Sequence, residues 1–91
     1  MKVLIIDDNE DIRFTVSEIC DFAGWAPVTA GNGFEGAELF KSEKPDLVVV
    51  DYHMPMLDGM ETIEQIRKTD RKVPIIVLTV DERQEIADEF L

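Results

Sequence analysis

Ninety-one residues allow one domain with a real but thin core. Twenty acidic against nine basic side chains give a net charge of −11, which argues against non-specific binding to nucleic acid or anionic membranes and favours a cation as ligand. One cysteine, Cys20, has no partner for a disulfide within the sequence, and no run approaches the roughly 20 apolar residues of a membrane span, so a reducing, cytoplasmic setting is expected.

Met1-Lys2 leads directly into a strand rather than into the apolar segment of a signal peptide. Lys2-Val3-Leu4-Ile5-Ile6 is a continuous apolar run closed by Asp7-Asp8, the pattern of a strand buried on both faces. Asn9 is placed to cap a helix whose apolar stripe is Ile12, Val16, Ile19, Cys20 and Ala23, with Gly24 as its stop. Cys20 reads as a core filler there. Trp25 to Ala30 forms a weakly apolar strand with a proline, which suits a sheet edge. Gly31-Asn32-Gly33 reads as a turn, and Phe34, Ala37, Leu39 and Phe40 mark a second helix that ends at Ser42-Glu43-Lys44-Pro45.

Asp46 to Val50 is a third strand, with Asp51 at its end. Met60, Ile63 and Ile66 form the stripe of a third helix ending near Thr69. A fourth strand follows over 73–80, and Asp81 is placed to cap a last helix with Ile86, Ala87, Phe90 and Leu91 on its apolar face. Strict β-α alternation with short loops predicts an α/β fold, a doubly wound parallel sheet with helices on both faces. The weak second strand belongs at an edge, so the expected strand order is 2-1-3-4. Ligands then sit in the crevice between the carboxyl ends of strands 1 and 3. The fourth strand conflicts with this order. Ile75 to Leu78 is apolar without alternation, yet it would be an open edge, with Pro74 as its one edge device.

Asp7, Asp8, Asp51 and Thr79 all fall at the carboxyl ends of strands 1, 3 and 4. Taken singly, each has a plainer role: Asp7-Asp8 as a helix cap, Thr79 as a strand residue, Asp58-Gly59 as a turn. Together they define one pocket. Three carboxylates there repel one another and raise each other's pKa unless a cation is present. A hard divalent ion such as Mg²⁺ resolves the repulsion, which makes Asp51 a candidate nucleophile toward phosphorus and Thr79 a hydroxyl donor to a phosphoryl oxygen.

These residues resemble those of a known family. Ile5-Ile6-Asp7-Asp8-Asn9, Asp51 to Gly59 as D-x-x-M-P-x-x-D-G, Val77-Leu78-Thr79 and Gly33-Phe34-Glu35-Gly36-Ala37 together resemble the receiver domains of bacterial two-component response regulators, such as the chemotaxis regulator. The resemblance covers residues 1–91. It implies a flavodoxin-like fold and a phosphoryl group passed to Asp51 from a sensor histidine kinase or a phosphotransfer protein. It implies Mg²⁺, with Mn²⁺ as an alternative, held by Asp8 and Asp51, by Asp7 largely through water, and by the backbone carbonyl of His53. Thr79 would follow the phosphoryl group and trigger a switch, while His53 and Asp81 would tune the lifetime of the phosphorylated state. An output domain is a possible partner, and the domain itself would be a phosphoacceptor rather than an enzyme.

Three departures from the family pattern stand out. The fifth strand with its lysine, and the fifth helix, are missing, so the receiver domain reads as C-terminally incomplete. The aromatic switch residue of that strand is missing with them. Val80 stands where the family carries a small residue. A second reading is therefore a receiver-derived fragment acting as an assembly module, with the bare fourth strand driving homodimer formation. A metal-dependent phosphatase of the haloacid dehalogenase type fits less well. It expects an acid two residues after its nucleophilic Asp, where Asn9 and His53 stand here.

Overall fold

The computed structural model describes residues 1–54 and 57–78. The order of elements is β1 (Lys2–Ile6), α1 (Glu10–Phe22), β2 (Ala26–Ala30), α2 (Gly33–Glu43), β3 (Leu47–Asp51), α3 (Gly59–Thr69) and β4 (Ile75–Leu78). The four strands form one parallel sheet in the order β2-β1-β3-β4, as the sequence predicts. The expected continuation of the last strand through Thr79-Val80, and the helix starting at Asp81, lie outside the described residues.

Each strand divides its side chains between two faces. Leu4, Ile6, Val48 and Val50 pack with Phe40 of α2 and Ile66 of α3, and Ala30, Met54 and Val73 complete that layer. Val3, Ile5 and Val49 point the other way, onto Cys20 and Val16 of α1. The uninterrupted apolar runs of β1 and β3 follow from this double cover. Val48 and Val50 sit on the face with two helices and Val49 on the face with one, and all three are buried.

The helix ends follow local chemistry. The Asn9 side chain accepts from the N–H groups of Asp11 and Ile12, and Gly24, at φ 81°, takes the left-handed turn that releases the chain from α1. Asn32 accepts from Glu35 N–H, so the expected Gly31-Gly33 turn is in fact a cap, with Gly33 the first residue of α2.

Three expected core stripes are rotated. On α1, Ile19 is 60% exposed and Ala23 is also exposed. Ile19 and Cys20 are neighbours in sequence and point about 100° apart, so a helix seated on Cys20 and Val16 turns Ile19 away. On α2, Phe34 faces solvent, and Gly33, Gly36 and Phe40 form the buried face. On α3, Met60 is exposed, while Thr62 and Ile66 are buried. Close approach explains the second and third cases. A Cβ on Gly36 would lie 2.5 Å from Cδ1 of Ile6, and one on Gly33 would lie 2.3 Å from Oγ1 of Thr62. Glycine, not a large apolar residue, lets α2 lie against β1 and α3.

This contact gives a test. Gly36→Ala gains helix propensity but forces Ile6 to move, for a net loss of about 1–2 kcal/mol in chemical denaturation. Ile6→Val removes the clashing methyl, so the double variant should be more stable than the sum of the two single losses. Simple additivity would show that Ile6 is not the obstacle.

Candidate metal and phosphoacceptor site

The sheet register builds the site. Ile6 lies beside Val50 in the β1–β3 pairing, so the next residues, Asp7 and Asp51, emerge side by side at the carboxyl edge. Asp8 follows. One carboxylate oxygen from each of Asp7, Asp8 and Asp51 lies within 4.8 Å of the others. Asp7 is buried, Asp51 half-buried and Asp8 exposed. The expected three-carboxylate pocket is therefore formed.

Hydrogen bonds hold both acids. Asp7 Oδ1 accepts from Asn9 N–H at 2.9 Å, and Asp51 Oδ1 accepts from His53 N–H at 3.0 Å. The Asp7 N–H donates to the Ala30 carbonyl at 3.1 Å, and Arg13 of α1 donates from Nη1 to the Asp7 carbonyl at 2.7 Å. Arg13 thus steadies the backbone at the site. Nothing in its sequence context signals that role, since it lies on a helix whose neighbours are read for their apolar spacing.

Burial pushes the Asp7 carboxyl up from 3.8 to about 6; the Asn9 N–H opposes this, and repulsion from Asp51 and Asp8 adds to it. Burial also raises Asp51, against the His53 N–H. Among the described residues no lysine or arginine side chain pairs with these three acids; the ion pair present is Lys2 with Glu43, at the opposite end of β1. A divalent cation is the group this donor set fits, because hard oxygen ligands with excess negative charge are what Mg²⁺ selects.

The loop after Asp51 is fixed from below. Met54 and Leu57 are buried, and Met54 joins the core under β1 and β3. Asp58 caps α3 by accepting from Glu61 N–H, and Gly59 N–H donates to the Tyr52 carbonyl at 3.2 Å. A Cβ on Gly59 would come within 2.6 Å of the Asp51 carbonyl oxygen and of Tyr52 Cα. Asp58-Gly59 is therefore more than a turn: it is a cap followed by a close approach that seats α3 against the site. Thr62, missed in the sequence, is fully buried and donates to the Asp58 carbonyl at 2.7 Å.

His53 is exposed, and its ring meets that of Tyr52 edge-on at 4.9 Å. Thr79 and Asp81 lie outside the described residues. Leu78, the last described residue, is aligned with Asp51 in the β3–β4 register.

Comparison with known proteins agrees with this geometry. The family model of the response regulator receiver domain matches residues 3–91. The chain is 37% identical over 79 residues to the response regulator MprA of Mycobacterium avium, covering 87% of this chain and 35% of that protein. It is 46% identical over 78 residues to the probable transcriptional regulator ycf27 of Guillardia theta, covering 86% of this chain and 30% of that protein. Among solved structures, the N-terminal domain of a response regulator receiver protein from Methanoculleus marisnigri superposes with a TM-score of 0.83 at 33% identity, covering 98% of this chain and 75% of that one. The response regulator TrrA of Thermotoga maritima, solved in complex with Mg²⁺-BeF, gives a TM-score of 0.76 at 26% identity, covering 99% and 98%.

The fold and the acidic edge define a flavodoxin-like receiver module. This chain belongs to the response regulator receiver family of two-component signalling. It spans about a third of the length of these curated relatives.

The Asp7 shift sets a pH dependence. Its folded pKa is raised, so its share of stability is complete below about pH 4 and is lost as pH rises through about 6. Without metal at pH 7.5, Asp7→Asn should be more stable than the parent by about 2 kcal/mol, and the gap should close near pH 4. Millimolar Mg²⁺ should raise the melting temperature of the parent and leave that of Asp7→Asn nearly unchanged. A gap independent of pH would refute the assignment to Asp7.

Proposed function

We propose that this domain accepts a phosphoryl group on Asp51 from a phosphohistidine of a sensor kinase or phosphotransfer protein, with Mg²⁺ at Asp7, Asp8 and Asp51. The observation that carries this reading is the convergence of the three carboxylates at the β1–β3 edge. Membership of the family and the Mg²⁺-BeF complex of TrrA support it. Asp8 and Asp51 would ligate the ion directly, Asp7 through water, and the His53 carbonyl would complete the protein's share.

Asp51 is the acceptor because it ends a strand, is half-buried and has one oxygen held by His53 N–H, which leaves the other to react. Its free oxygen forms the new O–P bond as the donor's P–N bond breaks; the histidine nitrogen keeps the electron pair and later takes a proton. Mg²⁺, when bound, neutralises the carboxylates and the charge on the transferred oxygens. Thr79 would donate its hydroxyl to a phosphoryl oxygen and couple phosphorylation to a switch, with His53 and Asp81 setting the lifetime. The role is that of a signalling phosphoacceptor in the cytoplasm, feeding an output domain rather than turning over a substrate. Among the described residues no helix is long and apolar enough to cross a membrane.

A second reading, an assembly module, rests on β4. Ile76 is 49% exposed and Val77 39% exposed, on opposite faces of β4, the last strand among the described residues. Edge pairing of this strand would give a homodimer.

Acetyl phosphate with Mg²⁺ should add one phosphoryl group to the intact protein, located at Asp51 by borohydride trapping and peptide mass. Asp51→Asn should abolish the gain, and removing Mg²⁺ should reduce it at least tenfold. No mass gain, together with normal Mg²⁺ binding, would leave the assembly reading in its place. Sedimentation at tens of micromolar should show a dimer; a stable monomer would remove that second reading.

A further inference from the structure

The three clustered acids are not held in the same way. Asp7 Oδ1 accepts from Asn9 N–H and Asp51 Oδ1 from His53 N–H, so two of the carboxylates are fixed by bonds to their own oxygens. Asp8 is the exposed member, and among the described residues no backbone N–H donates to its carboxylate. What places Asp8 is the backbone that leads into it.

That backbone is pinned on both sides of Asp7. The Asp7 N–H donates to the Ala30 carbonyl of β2 at 3.1 Å, and the Asp7 carbonyl accepts from Arg13 Nη1 at 2.7 Å. The second bond is short and has a charged donor, which makes it one of the stronger kind. The Asp7 carbonyl and the Asp8 N–H belong to one rigid peptide plane, which also contains the Asp8 Cα. Holding the carbonyl oxygen stops that plane from rotating and so sets where the Asp8 side chain begins.

Arg13 is itself held. Its N–H donates to the Asn9 carbonyl at 3.1 Å in the first turn of α1, and its side chain is half-buried. The guanidinium rests against Gly31, where a Cβ would lie 3.5 Å from Nη1 and 3.9 Å from Cζ. Gly31 in turn donates its N–H to Glu35 Oε2 at 3.2 Å, which ties this turn to α2. Among the described residues Arg13 forms no ion pair, and its bond goes to a neutral carbonyl. Its effect on the acidic edge is therefore one of position more than of neutralisation.

We propose that Arg13 is a positioning residue for the divalent cation: through the Asp7–Asp8 peptide it holds the Asp8 carboxylate where the ion binds. This rests on the metal reading of the acidic edge and adds a residue that touches neither the ion nor a phosphoryl group. Arg13 has two effects of opposite sign on that ion. As a positive charge near the cluster it repels a second cation, so removing it should tighten Mg²⁺ binding. As the clamp on the peptide it orients a ligand in advance, so removing it should weaken binding. Loss of a group that orients a metal ligand typically costs about 10–100-fold in affinity, whereas repulsion between partly exposed charges is screened by salt. The clamp is the larger effect, and the sign of the change tells the two apart.

An amide-resolved NMR titration with MgCl₂, run well below the melting temperature of every variant, reads both links. In the metal-free protein, Arg13→Ala should lower the order parameter of the Asp8 N–H from a rigid value of about 0.85 toward about 0.6. It should also raise the Mg²⁺ dissociation constant by about tenfold or more. Arg13→Lys keeps a charged donor and should recover most of both. Val16→Ala loosens the same helix through its core contacts and should change neither. Unchanged or tighter Mg²⁺ binding in Arg13→Ala, an Asp8 order parameter that does not move, or equal weakening in Val16→Ala would overturn the proposal and leave the metal reading standing. A parent protein that binds no Mg²⁺ would overturn the metal reading, and the proposal with it.

Discussion

Three carboxylates held within 4.8 Å of one another at the end of two neighbouring strands are the constraint on which the rest of this structure depends. Such a cluster opposes folding, since burial and mutual repulsion both act against its charge. The protein holds it in place by surrounding it with backbone donors. Asn9 and His53 N–H groups serve the Asp7 and Asp51 oxygens, and Arg13 secures the Asp7 carbonyl. None of these bonds neutralises the cluster. The residual negative charge is what would give a divalent cation differential affinity for the folded protein over the unfolded chain.

The register of β1 on β3 is what converts sequence into site. A slip of one residue would reverse the faces of β3, exchanging Val49 with Val48 and Val50 between a layer closed by two helices and one closed by α1. It would also separate Asp7 from Asp51. The hydrophobic core and the chemical site are therefore specified by the same pairing. This is why the apolar runs Val3–Ile6 and Leu47–Val50 end in acids at matching positions.

The strand order, the cap at Asn9 and the aspartate pocket were legible because each rests on a local rule: an apolar run, a capping side chain, a charge at a strand end. Asp58 read only as part of a turn, and its cap on α3 was not legible. Long-range contacts were not legible. Phe34 and Met60 satisfy a helical stripe as well as the residues that are buried, and only the approach of α2 to Ile6 and Thr62 decides against them. Thr62 reads as a polar surface residue until its hydroxyl is seen to bond the Asp58 carbonyl. Arg13 reads as a solvated charge until α1 is placed over the end of β1. The apolar character of β4 was legible.

Gly59 shows how packing reaches the chemistry. Its backbone lies so close to the Asp51 carbonyl and Tyr52 that any side chain would have to displace one of them. Met54 and Leu57 press the same loop into the core from the other side. Asp51 is thus held between a helix start that permits no side chain and a core layer that takes in Met54. A shift of α3, or a change in the packing around Met54, must therefore move the backbone at Asp51. The converse also holds: a change of charge or ligand at Asp51 acts directly on the seat of α3. On the proposed function, the route by which this domain would report phosphorylation of Asp51 begins at that contact.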